Sequence, residues 1–256
     1  MLTNDNLRIA VLGAGRMGGE ILRAIAADAR LEVAGVWMRS NNLESVLESG
    51  DVAVDFTLPA ATPQIIDAVV RLHKPLVCGV SGLGDDIMAR MRAASSSVPI
   101  FHDRNMSFGI AVLTELVRRA GAALGPEFVA GIHETHHVHK VDAPSGTALK
   151  LGEALAEVRG KDFSSVYRFA EGGSARRTSS DQILFSAVRK GENPGEHTVT
   201  FRSEAETLEL THKVVNRRVF ALGALEAARW LLRQGPGFYG MSDLLERGGE
   251  ANPDRP

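Results

Sequence analysis

The chain has 256 residues, of which 44% are hydrophobic and 23% charged, and its formal net charge is −2. That length supports one or two domains with a buried core, and the composition excludes a disordered, collagen-like or coiled-coil chain. The near-neutral charge argues against nucleic-acid and polybasic membrane partners, and the longest apolar runs fall far short of the roughly 20 residues that span a bilayer. A single cysteine, Cys78, leaves no internal disulfide and no cysteine-based zinc site. Residues 1–5 carry no basic stretch and Ile9–Leu12 is too short for a signal core, so a cytoplasmic location is expected.

In chain order, short β-rich runs at Leu7–Leu12, Leu31–Trp37, Val52–Phe56, Leu76–Cys78 and Val98–Phe101 alternate with helical patterns at Met17–Ala27, Leu43–Leu47, Pro63–Leu72 and Asp85–Ala94. Thr62-Pro63 suits a helix start, because proline in the first turn loses no needed N–H. The alternation predicts βαβ units and a parallel, Rossmann-like sheet with helices on both faces. After about residue 105 the pattern changes. Ser107–Leu124 reads as a long helix, followed by strand-like runs at Phe128–His133, Gln182–Val188, His197–Phe201 and Leu208–Thr211. These predict a second, α+β domain on a mostly antiparallel or mixed open sheet. A helix at Thr147–Arg159, with Ala148, Leu151, Leu155 and Val158 on one face, interrupts it. Phe220–Leu232 reads as a helix returning to the first domain, Ser164–Ser180 as a loop and the tail from Gly248 as frayed. The expected division is 1–104 plus 217–256 for a dinucleotide-binding domain, and 105–216 for substrate binding and oligomerisation.

Gly13-Ala14-Gly15-Arg16-Met17-Gly18 is G-x-G-x-x-G between a predicted strand and a predicted helix. The first glycine permits a tight turn, the second lets a pyrophosphate approach the backbone, and the third lets helix and strand pack closely. The helix N-terminus offers N–H groups to phosphate. The strand after it ends at Val36-Trp37-Met38-Arg39-Ser40-Asn41, without the carboxylate that would hold the ribose of NAD. Arg39 suits a 2′-phosphate instead, so NADPH is expected. Thr57, Gly79, Val80 and Ser81 fall at the C-terminal ends of further predicted strands, the edge along which ligands of open parallel sheets bind.

Glu134 to Ala148 (ETHHVHKVDAPSGTA) places three histidines and a lysine within five residues, before a turn that opens a helix. One reading is incidental histidines. A second is a metal at His136 and His139, which no His-x-Glu-x-His or cysteine pattern supports. A third is an acid and anion site: a histidine to donate a proton near neutrality, Lys140 as fixed positive charge, and Ser145-Gly146-Thr147 as a capped helix N-terminus. The coincidence of these features suits a small carboxylate substrate that is protonated as hydride arrives, and no metal is expected.

At this point the chain resembles the 4-hydroxy-tetrahydrodipicolinate reductases, long called dihydrodipicolinate reductases. The resemblance rests on Gly15–Gly18, Asp55-Phe56-Thr57, Gly79–Gly82, Asn105-Met106-Ser107, His136 through Ala148, Gly195-Glu196-His197 and Leu208–Lys213. It implies NAD(P)H-dependent reduction of a cyclic dicarboxylic imine to tetrahydrodipicolinate, with loss of water, in diaminopimelate and lysine biosynthesis. It implies His136 as general acid and Lys140 as the lysine assisting protonation. His137 would bind substrate, and the Gly146 and Thr147 amides would hold a carboxylate. Gly13 to Met17 would cradle the pyrophosphate, and Gly79 to Ser81 with Asn105 and Met106 would line the nicotinamide. A homotetramer is also implied. The chain departs from the family pattern in its shorter first glycine turn, in Met38 where many members carry an acid, and in Asp103-Arg104 before Asn105. Met38 argues against NADH, although many members use both coenzymes; NADPH is the expected coenzyme, with NADH as the alternative that the resemblance admits. The competing readings are an NADPH reductase of another small imino or keto dicarboxylate, and a non-catalytic NADPH-sensing protein.

Overall fold

In the computed structural model, which describes residues 6–169 and 181–246, the alternating runs become β1 (Leu7–Leu12), α1 (Arg16–Ala26), β2 (Leu31–Trp37), α2 (Leu43–Ser49), β3 (Val52–Asp55), a 3-10 turn at Pro59–Ala61, α3 (Thr62–Arg71), β4 (Leu76–Cys78), α4 (Asp85–Ala94) and β5 (Pro99–His102). Local chemistry sets their ends. Asn42 caps α2 by accepting from the Glu44 and Ser45 amides at 2.8 and 3.2 Å, which satisfies two donors that have no partner inside the helix. Pro63 sits in the first turn of α3. The chain continues through α5 (Phe108–Ala123), β6 (Val129–His136), α6 (Gly146–Val158), α7 (Phe163–Val166), β7 (Tyr167–Phe169), β8 (Ile183–Arg189), β9 (Glu196–Arg202), β10 (Thr207–Lys213), α8 (Arg218–Leu231), β11 (Gly237–Tyr239) and α9 (Met241–Glu246).

The chain divides into two units, one running to Phe108 and resuming at Arg217, the other Gly109–Asn216. The first is built on a six-stranded parallel sheet in the order β11-β5-β4-β3-β1-β2. Its central strands are apolar on both sides because both faces are covered. One face packs Ala10, Leu12 and Ala53 with Leu47, Ile65, Ile66, Val69 and Met91 from α2, α3 and α4. On the other, α8 packs on α1 and on β3, β4 and β5. Each fully buried aliphatic side chain contributes about 1.5–3 kcal/mol. The chain departs from β1 to β2 on one side and to β3 on the other, so the strand order reverses beside β1. That is where the C-terminal edge of an open sheet parts into a crevice.

The second unit carries a five-stranded sheet in the order β10-β9-β6-β8-β7. Phe185, Val199 and Phe201 pack there with Ile110, Leu113 and Val117 of α5 and Leu151 and Leu155 of α6. Of the two forms expected for this sheet, mostly antiparallel or mixed, the mixed one is found. β10 with β9 and β9 with β6 are antiparallel, but β6 with β8 and β8 with β7 are parallel. The sheet is therefore mixed, because α6 supplies a crossover between β6 and the strands after it. The predicted loop Ser164–Ser180 is corrected at its start, where α7 and β7 form. Asp162 caps α7 through the Ser165 amide at 3.1 Å, and Tyr167 packs its ring on Phe185 at 4.9 Å. The rest of that loop and the tail from Gly248 lie outside the described residues. Strand β11 was not anticipated and extends the first sheet beyond β5. Among the described residues, no helix is long and apolar enough to cross a membrane.

Candidate active site

In the first unit, the residues singled out in the sequence fall along one edge of the parallel sheet. β1 ends at Leu12 and the glycine turn leads straight into α1. Gly13 has φ +96°, a conformation that side chains rarely adopt. A Cβ on Gly18 would lie 1.9 Å from the Gly13 carbonyl oxygen, so helix and turn touch through backbone alone. Gly15 stands at the N-cap of α1 with no side chain capping the helix, and no acid lies in the first turn. Ala14, Gly15 and Arg16 are exposed, and nothing would meet a Cβ at Gly15 within 4 Å. The cradle is thus open, positively polarised and free of carboxylates, which fits the pyrophosphate of a dinucleotide.

Arg39 is exposed in the turn after β2. Asn41 shapes that turn, accepting from the Met38 amide at 2.7 Å and donating to the Val36 carbonyl at 2.8 Å. After β3, the Thr57 amide donates to Asp55 at 2.8 Å, and the buried Thr57 hydroxyl makes no hydrogen bond. Burial pushes the Asp55 carboxyl up to about 6, against the lowering bonds from Thr57 and Cys78. Gly79 follows β4, donating its amide to the Asp55 carbonyl at 2.9 Å; Val80 is buried and Ser81 exposed. After β5, Asp103 accepts from the amides of Asn105 and Met241 at 3.1 and 3.2 Å, and Asn105 accepts from the Ser107 amide at 2.9 Å. Met106 is buried.

The second unit gathers a different chemistry. β6 runs three residues past its predicted end, so that Glu134 and His136, two apart, share one face of the strand. Both are buried, at 1% and 7% exposure. Cross-strand register sets His197 of β9 opposite Glu134, and Arg189 of β8 opposite His136. The Ser145 amide donates to both Glu134 oxygens, at 3.0 and 3.1 Å, and Arg189 donates to Oε1 at 3.1 Å. His136 Nδ1 and His197 Nε2 each lie 3.6 Å from Oε2. Ser145 Oγ lies 3.1 Å from His197 Nε2 and accepts the Ala148 amide at 3.2 Å, capping α6. Gly146 and Thr147, the first helical residues, lie between these two anchored amides. Lys140, in the loop beyond His136, donates to Asp142 at 2.8 Å. His137 is buried, whereas His139 is exposed and pairs with Glu192 at 3.1 Å.

These surroundings set the charges. Burial opposes ionisation of Glu134, but hydrogen bonds from His197 and Ser145 and the fields of His136 and His197 outweigh it and hold the carboxyl at about 2. Burial lowers His136 to about 4; Glu134 opposes the shift, while His197, Lys140 and Arg189 add to it. The group Glu134, His136 and His197 brings three atoms that could bind a metal within 4.8 Å of one another. Both Glu134 oxygens already accept hydrogen bonds, however, and the Arg189 and Lys140 cations oppose a further cation, so the arrangement has the chemistry of an acid and anion site. Sequence reasoning gave Glu134 and Arg189 no role. The two-residue spacing to His136 was a usable signal for Glu134, whereas Arg189 reaches the site through register alone.

The family model described as dihydrodipicolinate reductase, N-terminus, matches residues 7–106, and that described as dihydrodipicolinate reductase, C-terminus, matches residues 109–245. Two proteins named 4-hydroxy-tetrahydrodipicolinate reductase, from Pseudoalteromonas translucida and Wolinella succinogenes, are each 38% identical to this chain, with 93% of it and 98% of the relative covered. A solved structure described as dipicolinate-bound dihydrodipicolinate reductase from Paenisporosarcina sp. TG-14 has the same fold. Its TM-score is 0.75 at 22% identity, covering 93% of this chain and 99% of that one.

Proposed function

Since the chain belongs to the dihydrodipicolinate reductase family, matched across both of its halves, we propose that it reduces 4-hydroxy-tetrahydrodipicolinate to tetrahydrodipicolinate with loss of water, on the diaminopimelate route to lysine. NAD(P)H, when bound, supplies the hydride. The residues from Gly13 to Gly18 hold its pyrophosphate on the α1 N-terminus, and Thr57, Gly79, Val80, Ser81, Asn105 and Met106 line the sheet edge for the rest of it. Arg39, exposed where an acid would favour NADH, gives preference to NADPH through its 2′-phosphate. In the second unit, the Gly146 and Thr147 amides and His137 bind the substrate carboxylates, and Lys140 supplies positive charge beside them.

His136 is the general acid. In the free protein it is held neutral, chiefly by burial and also by the cations around it. A doubly anionic substrate offsets those cations, so its arrival loads the imidazole with the proton that it then gives up. The observation that carries this reading is the buried imidazole of His136 within one cluster with the capped N-terminus of α6, with Lys140 in the adjoining loop. The purified protein, coupled to the synthase that makes the substrate, should oxidise NADPH. His136→Gln should lower kcat by about 10²–10⁴-fold, the span of general acid catalysis, with NADPH affinity unchanged. Full activity in that variant refutes the acid role. NADPH binding without oxidation marks a sensor instead, and oxidation only with a different dicarboxylate marks a different reductase. The homotetramer and a cytoplasmic site of action belong to the same reading, and a monomer by light scattering refutes the first.

A further inference from the structure

We propose that Glu134 is the positioning residue of the acid site, a single buried carboxylate that fixes the α6 anion turn through Ser145 and orients His136 through its Nδ1 edge, so that Nε2 is the atom that gives up the proton. The inference rests on the reading of His136 as the acid. A carboxylate at 1% exposure is costly unless its partners hold it. Here the partners come from four parts of the second unit: Ser145, Arg189 of β8, His197 of β9 and His136 of β6 itself.

His136 Nδ1 is buried, makes no hydrogen bond and faces Oε2 at 3.6 Å. A movement of well under an ångström closes that gap, as acid–base contacts commonly tighten once substrate is bound. The opposite edge of the ring lies against Gly195, where a Cβ would stand 3.1 Å from Nε2. The glycine, with φ +152°, leaves that edge clear. An anion at one imidazole nitrogen fixes the tautomer and leaves the other to exchange protons. The charged groups facing the ring are Glu134, His197, Lys140 and Arg189; Lys140 is paired with Asp142, and His212 of β10 lies beyond, held below the usual histidine range by burial and by the field of His197. Glu134 is the anion that offsets this positive surround. Its proton bookkeeping is simple: neutral His136 carries hydrogen on Nδ1, the imidazolium adds one on Nε2, and the second is donated.

Glu134→Gln keeps the shape and an oxygen for the Ser145 amide but removes the charge, whereas Glu134→Asp keeps the charge. Glu134→Gln should lower kcat by about 10–100-fold, less than loss of the acid itself, with NADPH affinity retained. The fall of kcat at rising pH should move to lower pH, because the imidazolium loses its counter-charge, and Glu134→Asp should restore its position in part. A kcat loss with no movement of that limb, or no loss at all, overturns the proposal. Wild-type protein labelled with ¹⁵N-histidine supplies a readout that needs neither variant folding nor turnover. A neutral His136 carrying its hydrogen on Nδ1 supports the proposal, and one carrying it on Nε2 overturns it. Wild-type protein inactive on the substrate refutes the functional reading, and the tautomer then decides the geometry separately.

Discussion

Two adjacent glycines, Gly18 and Gly19, should respond to alanine in opposite directions. A methyl group on Gly18 would lie 1.9 Å from the Gly13 carbonyl oxygen and 2.9 Å from its carbon. Carbon and oxygen approach comfortably to about 3.3 Å, so helix and turn would have to part by about 1.4 Å. Both clashing atoms are backbone, with no side chain to swing aside, which puts the cost toward the upper end of the roughly 1–3 kcal/mol usual for overpacking. Alanine returns about 1 kcal/mol through helix propensity. A net loss of about 2 kcal/mol lowers the melting temperature by about 4–8 °C for a protein of this size. The same displacement pulls the turn's amides from their phosphates, and each charged hydrogen bond is worth about 1.5–3 kcal/mol, so NADPH should bind at least ~10-fold more weakly. On Gly19, by contrast, a methyl group would meet only the Arg23 guanidinium, at 3.8 Å, and should stabilise by about 0.5–1 kcal/mol. Thermal melts and NADPH fluorescence titrations on both variants check this. Gly18→Ala protein that melts and binds like wild type, or Gly19→Ala protein that melts below wild type or binds NADPH more weakly, refutes the reasoning.

Three further substitutions test the two sites. Arg39→Ala should weaken NADPH by about 10–100-fold, the worth of a charged contact, and leave NADH nearly unchanged; equal losses in fluorescence titrations refute the 2′-phosphate role. Asp55 is raised by burial from 3.8 to about 6. The folded state thus binds this proton more tightly than the unfolded chain, and the stability is fully present at low pH and lost as pH rises toward 6, by about 3 kcal/mol. Asp55→Asn removes that dependence, so its melting temperature should gain on wild type between about pH 4 and 7; a constant difference refutes it. Gly195→Ala brings a methyl group to 3.1 Å from His136 Nε2 in a backbone conformation unsuited to alanine. The ring must give by a few tenths of an ångström, so kcat should fall by up to about 10-fold, less than the ~10²-fold cost of an ångström's misplacement, with unchanged NADPH affinity; full kcat refutes the crowding.

The parts legible in the sequence were those whose reason is local. The glycine turn from Gly13 to Gly18, the Thr62-Pro63 helix start and the period of Ala148, Leu151 and Leu155 each act within a few residues, and each element formed where its chemistry sits. The stretch from His136 to Thr147 was legible as chemistry for the same reason. What stayed hidden depends on register. Glu134 meets His197 and His136 meets Arg189 only because β6 pairs with β9 on one side and β8 on the other, and those pairings join residues 63 and 53 positions apart. A mixed second sheet was among the expectations, but which of its strands run parallel was not legible for the same cause, since a strand's apolar pattern does not encode its direction. β11 is three residues long, too short for periodicity to declare it, although Phe238-Tyr239 between Gly237 and Gly240 offered a weak cue.

The nucleotide unit is written in two stretches of chain separated by the whole of the other unit. Its last large piece, α8, buries Ala221, Ala224, Leu225, Ala227, Ala228 and Leu231. During synthesis, a nascent polypeptide that has emerged as far as residue 216 already owns β1 through β5 but still shows water the apolar side of β3, β4 and β5. The intervening unit, contiguous in sequence, can close its own core first. Completion of the first unit therefore waits until α8 has been made, and a ribosome stalled before Arg218 leaves a half-clad sheet exposed to chaperones and proteases.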